Sequence, residues 1–393
     1  MDYRVLRVSR ESLFREAFTV VLEPVTPVHV WGGREAVIGI DALVHGNELI
    51  LINFEETLKK APEDVLRRFT TLLRSARPEE ATASFLKELK SRELISGLRI
   101  PIKTKSRIEP NSRVRILHEY IIPGSELKGY IRTGIIKGLL KEIPNANKII
   151  ADGIDLEKEA KNVGLGIEAL LLRSPRPRKQ GGFVDALSII SVSDPLAYEQ
   201  VERSLRELRV VHTSRLDHVA SLLAITFSRG RLKYEVTIRR VEKPRLTSRP
   251  HERNVIEEVE NTLEKINNLA NKIGSKNWLL NTLRKFGCDL IKIELNKIKG
   301  TTKLRNYEDL LSRLEKDLCS ENTSCVPARI GFMTGHESKT IIPEIKNYDP
   351  RIYDEVKTRM QQELSRFWDA LTLKLVEVDE DLFGVGWCKI CVE

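Results

Sequence analysis

The sequence predicts an α+β fold in two domains. Three observations carry that reading. The chain has 393 residues, long for a single core, since domains typically hold roughly 100–200 residues. Hydrophobic residues make up 41% of it, enough to fill packed cores. Each half then reads as strands, a block of helices, and strands again, which is the order of α+β units. The boundary is placed at Pro195, giving domains 1–195 and 196–393.

The first half begins with Phe18–Val30, a β-rich run broken by Pro24 and Pro27, followed by a turn at Trp31-Gly32-Gly33. Ile38–Val44 and Glu48–Phe54 are strands joined by His45-Gly46-Asn47, a hairpin signal. Thr57–Leu94 carries a helical apolar pattern divided by Pro62 and Pro78. Arg99–Arg115 changes character: Arg99, Lys103, Lys105, Arg107, Arg113 and Arg115 face one acid, Glu109, in a segment that Pro101 and Pro110 keep extended.

Ile121–Leu140 reads as a strand end, a Pro-Gly turn and an abrupt helix start. Ser125 stands at the N-cap, where a side-chain oxygen bonds the first free N–H groups. Leu127, Ile131, Ile135 and Leu139 form a buried stripe, with Lys128 and Arg132 four apart on an adjacent face. Gly124 and Gly129 allow close backbone approach. A helix N-terminus flanked by two cations is suited to an anion such as phosphate. The same residues also fit a plain capped helix packed under a sheet.

Arg173–Lys179 is a Pro-rich basic loop, and Phe183–Val192 is a buried strand ending at Ser193-Asp194-Pro195. The second half opens with an expected helix over Leu196–Leu208, strands around Val210 and Leu222–Phe227, and a turn at Arg229-Gly230-Arg231. Lys233–Arg240 alternates, with Tyr234, Val236 and Ile238 on one face, as a half-buried strand does. Val255–Ile273 has the spacing of an amphipathic helix. With helices at Trp278–Phe286 and Tyr307–Leu318 it forms a helical insert over about 255–318. Arg351–Phe367 is helical and Phe383–Val392 is the last strand.

Composition narrows the function. Net charge is +9, which favours an anionic partner, nucleic acid first and a membrane surface second. Charged residues make up 31% while Gln is confined to Gln180, Gln200, Gln361 and Gln362, a mild thermophile signature. No apolar run approaches the ~18 residues of a membrane span, and the start lacks the apolar core of a signal peptide. The expectation is a soluble cytoplasmic protein. Five cysteines do not suggest a secreted disulfide framework.

Specific chemistry is sparse. Gly331–Thr340 is Gly-rich, but three residues separate Gly335 from Lys339, which breaks the G-x-x-x-x-G-K-S/T geometry of a P-loop. What is left is a loop able to line a phosphate backbone or to make a tight turn. Cys388-x-x-Cys391 is half a zinc spacing and Cys319-x5-Cys325 is too wide to complete it, so buried free thiols are expected and no metal. Of seven histidines, His29 and His118 are candidate general bases for a metal-independent ribonuclease. The basic runs suit single-stranded RNA.

Four segments carry a resemblance. IPGSELKGYIRT, with Pro123, Gly124, Ser125, Lys128, Gly129, Arg132 and Thr133, resembles the I-P-G-S-x-I/L-K-G-x-I/L-R-T segment of the RAMP superfamily of CRISPR-associated proteins. PVTPVHVWGG resembles that family's N-terminal L-T-P-V-H-I-G-x-G strand and turn, and SIISVSDPL its strand ending in V-S-D. ARIGFMTGHESKTI resembles the L-G-x-G-T-G-x-x-S-K-T of the fifth subunit of type III-A (Csm) effector complexes. Departures fall at Gly331-Phe332-Met333, at Glu337 and at His29–Gly32, and the helical insert matches no family segment.

The resemblance implies two ferredoxin-like (RRM-related) RAMP domains. It implies a non-catalytic, cofactor-free RNA-binding subunit that caps the backbone filament toward the 3′ part of the CRISPR RNA. Its partners would be that RNA and neighbouring Csm-type backbone and small subunits, with target RNA an open further partner and no membrane. Gly124, Ser125, Lys128, Gly129, Arg132 and Thr133 would hold RNA at one segment, and Gly331, Gly335, Ser338, Lys339 and Thr340 at the other. Two alternatives stand beside it: a RAMP endoribonuclease using His29 or His118, and a purely structural interaction subunit.

Overall fold

The first described strand, β1 (Phe14–Pro24), lies between two strands of the second half, His218–Arg240 and Trp387–Val392. The computed structural model describes residues 14–155, 163–175, 183–213, 215–240, 264, 268–269, 271–272, 275–364 and 372–393. After β1 come β2 (Trp31–Val37), β3 (Ala42–His45) and β4 (Glu48–Ile52). Three helices follow, α1 (Phe54–Lys60), α2 (Glu63–Ser75) and α3 (Pro78–Ser91), then β5 (Gly97–Pro101) and β6 (Arg113–Leu117). Next are α4 (Gly124–Glu142), α5 (Ala146–Asp155), α6 (Val163–Leu172), β7 (Arg173–Pro175), β8 (Phe183–Asp185) and β9 (Ile190–Val192).

A long hairpin, β10 (Ala197–His212) and β11 (His218–Arg240), begins the second half. It leads to α7 (Lys276–Ile298), α8 (Arg305–Leu318) and β12 (Cys325–Arg329). The chain closes with α9 (Ile342–Tyr348), α10 (Pro350–Leu364), β13 (Thr372–Val378), β14 (Asp381–Gly384) and β15 (Trp387–Val392).

The fold is mixed α+β. A 10-stranded sheet runs β12-β15-β1-β11-β10-β13-β14, with β6 and β9 also paired to β11 and β2 to β6. All its pairings are antiparallel except β6 with β11. Strands from both sides of residue 195 therefore share one sheet. A separate three-stranded sheet, β3-β4-β5, carries α1–α3 over its own apolar cluster, where Phe69 stacks on Phe85 with ring centroids 4.3 Å apart.

The expected alternation in Lys233–Arg240 is what β11 uses: Tyr234, Val236 and Ile238 are buried. They meet the apolar stripe of α4, in which Leu127, Ile131, Ile135 and Leu139 are buried too. Helix starts are set locally. Asn53 accepts the Glu56 N–H at 3.2 Å ahead of α1, and Ser275 accepts the Trp278 N–H at 3.2 Å ahead of α7.

Several expectations are corrected. Leu196–Leu208 is not a helix but most of β10. Val201, Leu205 and Leu208 have helical spacing, yet β10 gains hydrogen-bonded neighbours on both sides, β11 and β13, and that pairing overrides local pattern. Arg229-Gly230-Arg231 is no chain reversal. Strand β11 runs through it, and Gly230, at φ +123°, sits opposite a register shift between Glu199 and Glu202. The expected free thiols are mostly paired: Cys288 bonds Cys319 and Cys325 bonds Cys391, which leaves Cys388 free and buried. Cys325 and Cys391 stand directly opposite in the β12–β15 ladder, a register the linear spacing does not reveal. Most of Val255–Ile273, and residues 176–179 of the Arg173–Lys179 loop, lie outside the described residues.

Candidate functional site

Helix α4 starts two residues earlier than its sequence suggests. Pro123 is the N-cap, without a side-chain bond, and Ser125 is exposed within the first turn. The Gly124 N–H is taken by Asp194 Oδ1 at 2.8 Å. So a carboxylate of the chain itself occupies the anion position at this helix start, as the helix dipole favours. Gly124 is a packing glycine: a Cβ there would lie 2.1 Å from the Ser193 carbonyl oxygen.

Two clefts flank the first turns of α4. The first, about 500 Å³, is lined by His118, Tyr120, Gly124, Ser125, Lys128 and Asp194. The second, about 190 Å³, is lined by Glu126, Gly129 and Thr133 of α4 and by Gly331, Ser338 and Lys339 of the loop after β12. The helical repeat explains the division. Ser125 and Lys128 share one face, while Glu126, Gly129 and Thr133 share the next. The two sequence segments, some two hundred residues apart, thus meet across one helix.

Glu126 joins them. Its Oε1 accepts the Gly331 N–H at 3.2 Å and lies 3.5 Å from Lys339 Nζ. Arg132 does not face the clefts as a bare cation: its Nε donates to Glu168 Oε2 on α6 at 2.9 Å. Among the described residues no carboxylate pairs with Lys128. Thr133 is buried and its hydroxyl returns to the Gly129 carbonyl at 3.1 Å. Ser338 is buried and donates to Thr334 Oγ1 at 2.9 Å, and Thr340 donates to the His336 carbonyl at 3.1 Å. These hydroxyls shape the loop. Gly331 and Gly335 hold φ of +104° and +85°, which the turn needs and which side chains disfavour.

The basic segment is largely neutralised. Arg99 pairs with Glu48, Lys105 with Glu380, Arg107 with Glu109 and Arg113 with Glu35. Arg115 lies between the rings of Trp31 and Phe332, 4.7 and 4.5 Å from their centroids. Glu337, an odd residue for its motif, is buried between Lys297 and His336. Burial raises its pKa, but the charges of His336 and Lys297 and a bond from Lys297 outweigh that and push it down to about 2.

His29 is fully buried, with Nδ1 2.8 Å from the Ile225 carbonyl, and burial pushes its pKa down to about 4. A ribose hydroxyl has no route to it in this structure. His118 uses Nδ1 to accept the Tyr120 N–H at 3.2 Å. Among the described residues no helix is long and apolar enough to cross a membrane.

Sequence reasoning missed Glu126, Glu168 and the role of Asp194. Glu126 fills a variable place in its motif, and the other two come from elements that only folding brings near. Gly129 remains a clean probe, because a Cβ there meets nothing within 4 Å. Gly129→Ala is expected to hold or raise stability, by up to about 1 kcal/mol for a helix interior. Gly124→Ala, driven into backbone, is expected to cost about 1–3 kcal/mol. Thermal melts of the two variants check the contrast.

Compared by sequence, the chain matches no family model and no curated protein. Compared by structure, it is similar to a chain of the Csm–crRNA–target RNA ternary complex of a type III-A CRISPR-Cas system. The TM-score is 0.62 at 15% identity, over 96% of this chain and 100% of that one. It is also similar to Csm5 of T. onnurineus, with a TM-score of 0.58 at 15% identity, over 94% of this chain and 99% of that one. Over nearly its full length, the chain has the fold of that Csm5 and of a chain of the type III-A Csm complex.

Proposed function

We propose that the chain is a non-catalytic, RNA-binding subunit of a type III-A Csm effector complex. In this role it caps the backbone toward the 3′ part of the CRISPR RNA, supports assembly or maturation of the complex in antiviral defence, and docks on neighbouring backbone and small subunits. The reading includes the two ferredoxin-like units expected from the sequence. Strands of both halves meet in one sheet, so on this reading the units share it.

One observation carries the site assignment. Lys128 of α4 and Lys339 of the loop after β12 line adjoining clefts, together with the exposed Ser125 in the first and Gly129 in the second. Those cations suit two successive phosphates of a single strand, bound without reading bases. Binding at the second cleft places a phosphate where the Glu126 carboxylate now bridges Gly331 and Lys339. Arg132, tied to Glu168, supports the helix.

Lys128→Ala with Lys339→Ala is expected to weaken binding of every RNA sequence alike. The log–log salt slope should flatten by about 1.4, at about 0.7 per phosphate contact on a single strand. Unchanged affinity in a folded variant sinks the assignment. The ribonuclease reading keeps one observation: His118 lines the same cleft as Lys128. Cleavage of a repeat RNA in EDTA, abolished by His118→Ala, would replace the non-catalytic reading.

A further inference from the structure

Tyr120 lines the first cleft, and two further exposed apolar side chains, Leu196 and Tyr198, follow closely in the chain after Asp194, another of its lining residues. Tyr120 is 40% exposed, Tyr198 45% and Leu196 68%. The two tyrosines come from different elements: Tyr120 from the turn before α4, and Tyr198 from the start of β10, four residues after Asp194, which lines the same cleft as Tyr120. The Tyr198 hydroxyl lies within the fields of Asp194, Tyr120 and Glu119. Tyr234, buried against the same turn through a 2.8 Å bond to the Ile122 carbonyl, underlies the pair.

The turn that presents Tyr120 is under conformational constraint. Ile121, a β-branched residue, holds φ +65°, where such residues are rare. The Ile121 N–H donates to the His118 carbonyl at 2.8 Å, and the Ile122 N–H to the Tyr120 carbonyl at 2.7 Å. Ile121 and Ile122 are thereby fully buried while Tyr120 between His118 and Ile121 stays outside. The His118 ring sits 5.7 Å from that of Tyr120, tilted by 36°, and its Nδ1 closes the turn. A strained main chain that holds an aromatic ring in water calls for a ligand of matching chemistry.

We propose that Tyr120 and Tyr198 form a stacking platform for bases of single-stranded RNA. It rests on the phosphate-binding reading of the adjoining cleft. Lys128 and the exposed Ser125 amide line the cleft that Tyr120 edges, so a backbone held there turns its bases toward the rings. Aromatic faces accept any base, which adds affinity without sequence preference. His118 is then a positioning residue for Tyr120.

The test uses the full-length protein and two fluorescent oligomers of equal length, one an oligouridine and one its abasic ribose-phosphate counterpart. The wild type is expected to bind the base-bearing strand at least about fivefold more tightly, the lower end for one stacked base. Tyr120→Ala with Tyr198→Ala should abolish that preference and leave abasic binding and the salt slope unchanged. Tyr120→Phe with Tyr198→Phe should keep it. Equal wild-type affinity for both strands overturns the platform and leaves the phosphate reading standing. Binding of neither strand overturns both. A preference that survives the alanine pair also overturns the platform and leaves the patch to a partner protein.

Discussion

Glu294→Ala is expected to destabilise the protein by about 3–5 kcal/mol, the cost of leaving a buried charge without its partner. Glu294 on α7 and Arg329 on β12 are both buried and pair at 2.9 Å. The pair is part of a network. Tyr307 on α8 donates to Glu294 at 3.0 Å, and the Trp387 indole N–H of β15 donates to Tyr307 at 2.8 Å. Arg329 Nε donates to the Val385 carbonyl at 3.1 Å. One carboxylate thus anchors α7 and α8 to the sheet, and its removal strands a buried guanidinium. Denaturant unfolding of the variant beside the wild type measures the loss. A change under 1 kcal/mol would show that the site admits solvent. Glu294→Ala with Arg329→Met is expected to recover much of the loss, because the uncompensated charge goes with it.

Reduction of the two disulfides has the second large effect. Cys288–Cys319 closes a sequence separation of 31 and Cys325–Cys391 one of 66. Chain-entropy reasoning assigns each about 4 kcal/mol through the unfolded state. Melting in strong reductant is expected to lower the midpoint by about 10 °C or more. Thiol labelling of the native protein should leave all five cysteines unmodified before reduction, since Cys388 is buried. An unchanged midpoint after verified reduction would overturn the stabilising role.

What the sequence makes legible depends on whether a pattern is local. Lys233–Arg240 is readable because its two faces differ in polarity and the period is two. The apolar stripe of α4 is readable for the same reason at a period near four. Strand β10 is not, because Leu205 and Leu208 sit in a central strand and its pairing on both sides, with β11 and with the distant β13, decides helix against strand. The glycine motifs identify the right places but not their partners. Gly124 looks like an opening for a ligand and is filled by Ser193, while Gly129 is the one that faces open space. Arg132 and the Gly124 amide look like anion ligands, and the anions they hold are Glu168 and Asp194. Net positive charge hides such pairings, since each is a matter of register and packing.

The place of β1 in the sheet also sets a timetable. This strand is made well before its hydrogen-bonded neighbours, β11 and β15. Val20, Val21 and Leu22 are buried only once both have arrived. Until β15 has been made, one edge of an apolar strand stays open, the condition under which nascent chains mispair. Closing it is a long-range step and a slow one. For this protein strands of the second half complete the environment of β1, so a chain released before β15 is left with an unsealed edge rather than with one finished half.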